Sequence, residues 1–491
     1  MRCIISSRPA FFGARVCSSR SRCCCSRWDF LRNKKGRRSD ACGRAGYLRM
    51  LRKALPNKKS IPKELQQASM NEPDMRRVLF LAYYFPPLGM AGTQRVAKWC
   101  KYLTREGWQV SVVTVKAIAY YASDQSLLDE LAETHIIRTG SLDPARLLYL
   151  LRGKRAPQNS GGAGRGNLLY WFLLPDPRIL WIPFALWRAW REIRRQQIRF
   201  IVTSGPPHAS HLAGWLLSRM CNIRWVSDFR DTWLREEFSQ APTKVHRLLQ
   251  RAMERFILKN AHAVTAVSPG LAAQLQETGG RPEGTTHYIP HGYDHEDFAG
   301  QPRSSDGRFC VSYVGALSHI QDPRPLLRGF RGFVQTAQLT PAEVKLQFVG
   351  ADLTGNLHDW IVQHEAQAYV DLAGYLPHAA AVQEMRAADL LVFLANPGTG
   401  GTIIPSKTFE YLATGKPILV IGEKIEGAQF LLQHAHSRHC EFDAIDAIVR
   451  ALLAFYKEFR VGALPAVAPP PLEFSRQQQA KRLAEIMMEL I

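Results

Sequence analysis

The stretch Val78–Val115, VLFLAYYFPPLGMAGTQRVAKWCKYLTREGWQVSVVTV, decides the fold class. Its first eight residues are an unbroken apolar run, the pattern of a strand buried on both faces. A Gly-containing loop, PPLGMAGT, follows. Val96, Trp99, Cys100 and Leu103 then share one helical face, and Gly107 supplies a stop. A second apolar run, SVVTV (111–115), completes a strand–loop–helix–strand unit. Two strands joined by a helical crossover lie parallel, so the class is α/β.

The same alternation continues outward. FIVTSG (200–205), RWVSDF (224–229) and AVTAVS (263–268) read as further strands. Composition turns polar around 290–305, and the pattern restarts with FCVSYVGA (309–316), KLQFVGA (345–351), YVDLAGYL (369–376), DLLVFLA (389–395) and PILVIG (417–422). Two doubly wound Rossmann-like domains in series are therefore expected, 75–298 and 299–470, facing an interdomain cleft at the carboxyl ends of their strands. The segment 471–491 carries Ser475 and Gln478 at capping-box spacing and is expected to form a helix that packs back on the first domain.

The net charge of +22 over 491 residues suggests a nucleic-acid binder until it is located along the chain. Residues 1–63 hold 18 Lys and Arg against Asp29 and Asp40, which leaves the remainder only mildly basic. No nucleic-acid partner is expected. Six of the ten cysteines also lie in the first 42 residues; the other four are scattered in apolar surroundings with no metal-ligand spacing. The body reads as a reduced, cytoplasmic protein. The basic, Cys-rich tail 1–74 reads either as a disordered extension from an early start codon or as an organellar targeting segment.

The segment 168–200, LLYWFLLPDPRILWIPFALWRAWREIRRQQIRF, is rich in Trp and Leu and then in Arg. The Pro-Asp-Pro-Arg interruption at 175–178 leaves no run long enough to span a bilayer. Trp187 and Trp190 beside Arg188, Arg191, Arg194 and Arg195 suit peripheral contact with an anionic membrane, or equally a surface helix whose aromatics enter the core.

The ordered set YYFPPLGMAGTQRVAKWCKYLTREGWQVSVVT, SGPPHASHLAG, SDFRDTW, AVSPG, YIPHGYD, YVGALS and PSKTFEYLATGKPIL resembles family 4 glycosyltransferases of the GT-B fold, from Met75 to the end. The resemblance implies an acceptor-side first domain and a second domain that binds a nucleotide-diphosphate sugar. It implies a retaining, hexosyltransferase-like enzyme of polysaccharide or glycoconjugate synthesis, with a glycan or lipid-linked acceptor. No metal or cofactor is implied beyond the donor, UDP- or GDP-linked.

The residues agree. A diphosphate suits a helix N-terminus, where amide N–H groups and the positive dipole end converge. GGTIIPSK before TFEYLA provides one, with Ser406 to donate a hydrogen bond or cap the helix and Lys407 to neutralise the leaving phosphate. Glu410, one turn on, suits two ribose hydroxyls, the role the resemblance also gives it. Gly89 and Gly92 in the first loop and Gly315 after YV allow close backbone approach to the donor. Arg324 is a loosely placed candidate for the phosphate. His211, or His208 beside it, occupies a position where the family has a histidine near the reacting sugar, although a histidine there is often structural. Asp228, Arg230 and Asp231 border the acceptor site by resemblance, unless an Asp–Arg pair is structural.

The family signature has a second glutamate, eight residues before the first. Here that position is Thr402. Its loss bears on donor choice, and the amides of Gly400–Thr402 are candidates to hold the sugar hydroxyls instead. Two other readings stay open: nucleotide-sugar epimerisation, which needs acids and histidines lining the cleft, and a non-catalytic GT-B scaffold.

Overall fold

The computed structural model describes residues 76–89, 91–118, 123–151, 173–234, 243–301, 306–318, 320–395, 401–402, 404–464 and 471–491. All belong to one compact unit, Met70–Ile491. The expectations for the tail 1–74, for 168–172 and for Gly400 fall outside the described residues.

The first half runs β1 (Arg77–Leu81), α1 (Ala91–Arg105), β2 (Gln109–Val115), α2 (Ser126–Asp129), β3 (His135–Thr139), α3 (Pro144–Leu151) and α4 (Ile182–Gln196). It continues with β4 (Phe200–Gly205), α5 (Ala209–Cys221), β5 (Arg224–Phe229), α6 (Lys244–Asn260), β6 (Ala263–Ala266), α7 (Pro269–Gly279) and β7 (Thr286–Tyr288). The strands form one sheet in the order β3-β2-β1-β4-β5-β6-β7, with every pair parallel.

The second half contains β8 (Phe309–Val314), α8 (Arg324–Ala337), β9 (Val344–Val349), α9 (Leu357–Gln363), β10 (Val370–Gly374), α10 (His378–Ala387) and β11 (Leu390–Ala395). Then come α11 (Ser406–Thr414), β12 (Ile418–Gly422), α12 (Glu426–His434), β13 (Ser437–Cys440), α13 (Ile445–Arg460) and α14 (Arg476–Met488). Its parallel sheet has the order β10-β9-β8-β11-β12-β13. In each sheet the order reverses beside the first strand, which opens a crevice at the carboxyl ends there. This is the expected pair of doubly wound domains.

Local chemistry explains the elements. The central strands are apolar and fully buried, as β4 and β11 show. Ser268 caps α7 by accepting the Leu271 N–H at 3.1 Å, and Gly280, at φ +56°, ends it. Ser475 likewise caps α14 by accepting from Gln478 N–H. Helix α1 begins at Ala91, so Gly92 lies in its first turn and not in the preceding loop. The rings and aliphatic chains of Val96, Trp99, Cys100 and Leu103 are buried with β1 and β2, and in the same core sit Ala480, Leu483, Ile486 and Met487 of α14. Truncating any of the larger α14 side chains to Ala costs about 2–5 kcal/mol. Chain 289–301, with a short 3₁₀ turn at His295–Phe298, joins the halves. Its Asp294 accepts from Tyr102 Oη (2.5 Å) and Lys101 Nζ (2.8 Å) of α1, and Lys98 Nζ lies 2.7 Å from the same carboxylate.

Trp181 and Ile193 of the 168–200 segment enter the core, whereas Trp187 is 54% exposed under the Arg188 and Arg191 guanidinium groups. Among the described residues, no helix is long and apolar enough to cross a membrane.

Candidate active site

Helix α11 starts at the carboxyl end of β11, beside the crevice of the second sheet. Pro405 occupies its N-cap position with extended backbone, no side chain caps it, and its first turn carries no acid. Ser406 is the first helical residue and is not the cap. Tyr411 fixes the helix to the sheet: its Oη accepts the Val314 N–H at 2.9 Å and lies within hydrogen-bond reach of the Val314 and Val392 carbonyls.

Pro405, Ser406 and Lys407 line two joined lobes. The larger, about 350 Å³, is walled by Val314, Gly315, Gly350, Tyr375, His378 and Glu410 of the second domain. Gly89, Gln94, Asp124 and Leu127 of the first domain close it. Gly315 adopts φ +139°, and a Cβ on Gly350 would lie 2.2 Å from the Gly315 carbonyl oxygen. Bare backbone from two strand ends therefore forms that wall. At this lobe the two domains are hydrogen-bonded: Tyr375 Oη donates to Gly89 O (3.2 Å), and His378 N–H donates to Asp124 Oδ2 (2.8 Å).

Lys407 Nζ lies 4.1 Å from the Tyr313 ring centroid and 5.4 Å from that of Phe393, and it donates to Tyr313 Oη at 3.0 Å. Among the described residues no carboxylate pairs with it. Burial of the ammonium end between the two rings lowers its pKa to about 7. The residue as a whole keeps some exposed surface. Glu410 is buried with Oε1 3.0 Å from His378 Nε2, which leaves Oε2 as its remaining acceptor. Burial works against the imidazolium of His378, but the Glu410 carboxylate, with help from Asp297, raises its pKa overall.

The second lobe, about 280 Å³, faces the first domain, with Gly92, Pro206, Arg230, Asp231 and His291 in its wall. The Arg230 guanidinium donates to the Gly205 and Pro206 carbonyls. A Cβ on Gly92 would lie 1.8 Å from Arg230 Nη1, so the glycine makes room for that side chain. His291 is buried with no partner for Nδ1 among the described residues, and burial with Arg95, Arg476 and Arg230 nearby drives its pKa well down.

Five expected site residues lie elsewhere. Asp228 is fully buried and accepts from Arg95 Nη2 (2.9 Å), Ser204 Oγ (2.8 Å) and Thr265 Oγ1 (2.7 Å), a structural pair with its acceptors in use. His211 lies behind β4, its Nδ1 against the Thr203 and Ser227 hydroxyls at 2.8 and 2.9 Å and its ring stacked on Phe229. His208 stacks on Trp233, and burial, helped by Arg230, lowers its pKa to about 3. Arg324 is turned to solvent and forks onto Asp322. Thr402 packs on the first domain, where its carbonyl accepts the Ser268 hydroxyl at 2.5 Å and its methyl lies close to Gly270. Conversely, His378, Asp124, Tyr375, Gln94 and His291 enter the lobes without having been singled out. Quoted stretches covered Gln94, Tyr375 and His291, but as parts of a helix, a strand and a motif, with no site role given to them.

Residues 91–292 match the family described as glycosyl transferase 4-like domain. This region is a glycosyl transferase 4-like domain. It provides Gly92, Pro206, Arg230, Asp231 and His291 of the second lobe and Gln94, Asp124 and Leu127 of the first. The described residues have the GT-B glycosyltransferase fold. It is similar to Anabaena HepE in complex with UDP and glucose (18% identity, 84% of this chain and 100% of that one, TM-score 0.58). It is also similar to sucrose-phosphate synthase from Thermosynechococcus elongatus (16% identity, 84% and 97%, TM-score 0.54). A Listeria monocytogenes protein assigned as a UDP-N-acetylglucosamine 2-epimerase shares the fold as well (12% identity, 83% and 95%, TM-score 0.52). No curated protein sequence matches the chain.

Proposed function

We propose that the protein is a retaining, metal-independent glycosyltransferase that moves a hexosyl group from a nucleotide-diphosphate sugar to a glycan or lipid-linked acceptor. The observation that carries this reading is Lys407, a cation without a carboxylate partner among the described residues, at the uncapped start of α11 and one turn before Glu410. The donor diphosphate sits at that helix start, its charge offset by Lys407 and the dipole end. Glu410, oriented by His378, receives the ribose hydroxyls through Oε2. Ser406 and the backbone at Gly315 complete the donor side.

The acceptor enters the second lobe between Arg230, Asp231 and His291. Its hydroxyl attacks the anomeric carbon on the face from which the diphosphate leaves. The carbon–phosphate oxygen bond breaks, the new glycosidic bond forms, and the departing phosphate oxygen takes the hydroxyl proton. Such a step relies on orientation and charge stabilisation and needs no protein base. UDP is preferred over GDP as the carrier because the HepE likeness was obtained with UDP bound. The setting is the cytoplasmic side of cell-surface polysaccharide or glycoconjugate synthesis.

One observation favours epimerisation as a second reading. Glu410, His378 and Asp124 line the same lobe, which is the kind of acid–histidine set that proton transfer requires. Calorimetric titration with UDP and GDP tests nucleotide binding, and Glu410→Ala or Lys407→Ala is expected to weaken it at least about tenfold. Mass spectrometry of a donor panel, with and without membrane lipid extract, separates the chemistries. Consumption that requires the extract marks a transferase, isomerisation without it marks an epimerase, and bound nucleotide with no turnover marks a scaffold.

A further inference from the structure

Helices α4, α5 and α6 lie side by side over one face of the first sheet. Ala185 and Ile193, Ala213 and Leu217, and Ile257 and Leu258 share a single core beneath them. Trp215 of α5 also meets Phe256 of α6 edge to face at 4.9 Å. Their outer sides therefore make one continuous surface.

Its charge is one-sided. Arg188, Arg191, Arg194 and Arg195 are exposed on α4, and Arg219 is exposed on α5. Lys244, Arg247, Arg251, Arg255 and Lys259 are exposed on α6. The three helices contain two acids, Glu192 and Glu254, and both are buried. Large apolar side chains are interleaved with these cations. Trp187 is 54% exposed and Leu248 68% exposed, and Phe184, Val245 and Leu249 are exposed with them. Those five lie in the amino-terminal halves of α4 and α6. Pro206, in the wall of the second lobe, lies just before the start of α5, whose Ala209 N–H donates to Asp176 Oδ2 ahead of α4.

We propose that this three-helix face docks on an anionic lipid bilayer, with the apolar side chains at the acceptor-lobe end entering the headgroup region. An acid-free cationic surface is complementary to anionic headgroups, and an exposed Trp with Leu, Val and Phe suits the interface below them. A second copy of the chain would bring like charge against like charge. Nucleic acid would satisfy the cations and leave the aliphatic side chains without a partner. That docking delivers a lipid-linked acceptor rests on the function proposed above; the docking itself does not.

The test is flotation of the full chain with vesicles of phosphatidylcholine alone and of equal parts phosphatidylcholine and phosphatidylglycerol. The wild type is expected to float with the second and not the first. Arg188→Glu/Arg191→Glu/Arg251→Glu and, separately, Trp187→Ser/Leu248→Ser are each expected to weaken partitioning at least about tenfold while keeping the wild-type affinity for UDP. Residues 1–63 are themselves strongly basic. If they did the binding, both variants would float like wild type, and the proposal would be overturned. It is equally overturned if the wild type stays with the soluble fraction, or if RNA displaces it from vesicles and the Trp187/Leu248 variant floats normally. Loss of flotation with intact UDP binding supports docking whatever the reaction is. Flotation by a protein that binds no nucleotide would defeat the functional reading alone.

Discussion

If the donor binds as proposed, Lys407 is expected to make UDP affinity depend on pH in a direction opposite to simple phosphate ionisation. Without an anion, its ammonium is held between the Tyr313 and Phe393 rings with a pKa lowered to about 7. A bound diphosphate favours the charged form and raises that pKa, so binding requires a proton on Lys407. Below about pH 7 the proton is already present; above it, each pH unit adds about 1.4 kcal/mol to the cost of binding. Between about pH 7 and about pH 9 the UDP dissociation constant is expected to rise roughly fifty-fold. The terminal phosphate of UDP is almost fully ionised throughout that range, so the ligand supplies little of the change. Isothermal titration at steps across the range measures it, in buffers of different ionisation enthalpy so that proton uptake is counted directly. Lys407→Met should bind weakly with little pH dependence. A wild-type affinity that stays flat over the range, with no proton uptake, would refute the reasoning.

Other perturbations separate scaffold from site. His211→Phe removes the ring nitrogen that pairs with the Thr203 and Ser227 hydroxyls, of which Thr203 still accepts from Trp225 Nε1, and is expected to cost about 1–3 kcal/mol in urea unfolding, with turnover per folded molecule unchanged. A fall in turnover at unchanged stability would return His211 to the reaction. Arg95→Met leaves the Asp228 carboxylate buried without its cation, an expected loss of about 3–5 kcal/mol, and Arg95→Met/Asp228→Leu should recover much of it. In the linker, Lys98 and Lys101 hold the Asp294 carboxyl well below its usual range, and Glu296, bonded chiefly by Arg105, is lowered to about 2. Depressed carboxylates stabilise the fold above their unfolded pKa near 4 and lose that contribution as pH falls. The melting temperature should drop between about pH 4 and about pH 2, with a shallower slope for Asp294→Asn in scanning calorimetry.

The core of the fold was legible because its central strands are unbroken apolar runs. Strands β3, β7 and β13 were not, since HIIRT, THY and SRHC are short and half-exposed and carry no run to read. Gly92 reads as loop in the sequence because a Gly beside a Pro-rich stretch looks the same whether or not a helix has begun. At the site, Ser406, Lys407 and Glu410 could be read together because one helix start holds all three. His378 and Asp124 come from distant segments whose own patterns announce nothing, and only the closed fold brings them to Glu410. Asp228, His211 and Arg324 lie next to strand or loop ends in the sequence, yet adjacency does not say where a side chain points. In β5, Asp228 turns into the protein, and Arg230, two residues on and past the strand end, reaches the lobe.

Helix α14 has a consequence for the order in which the protein can be made. Ala480, Leu483, Ile486 and Met487 belong to the core of β1, β2 and α1, yet they are synthesised after the whole second domain. A ribosome that has finished the first sheet therefore holds a domain with one wall of its interior still open. That domain cannot mature as an independent unit ahead of its partner, as successive domains ordinarily do during synthesis. A premature stop late in the message would strip apolar packing from the domain encoded first, and the nascent first half must be kept from aggregating until the last helix arrives.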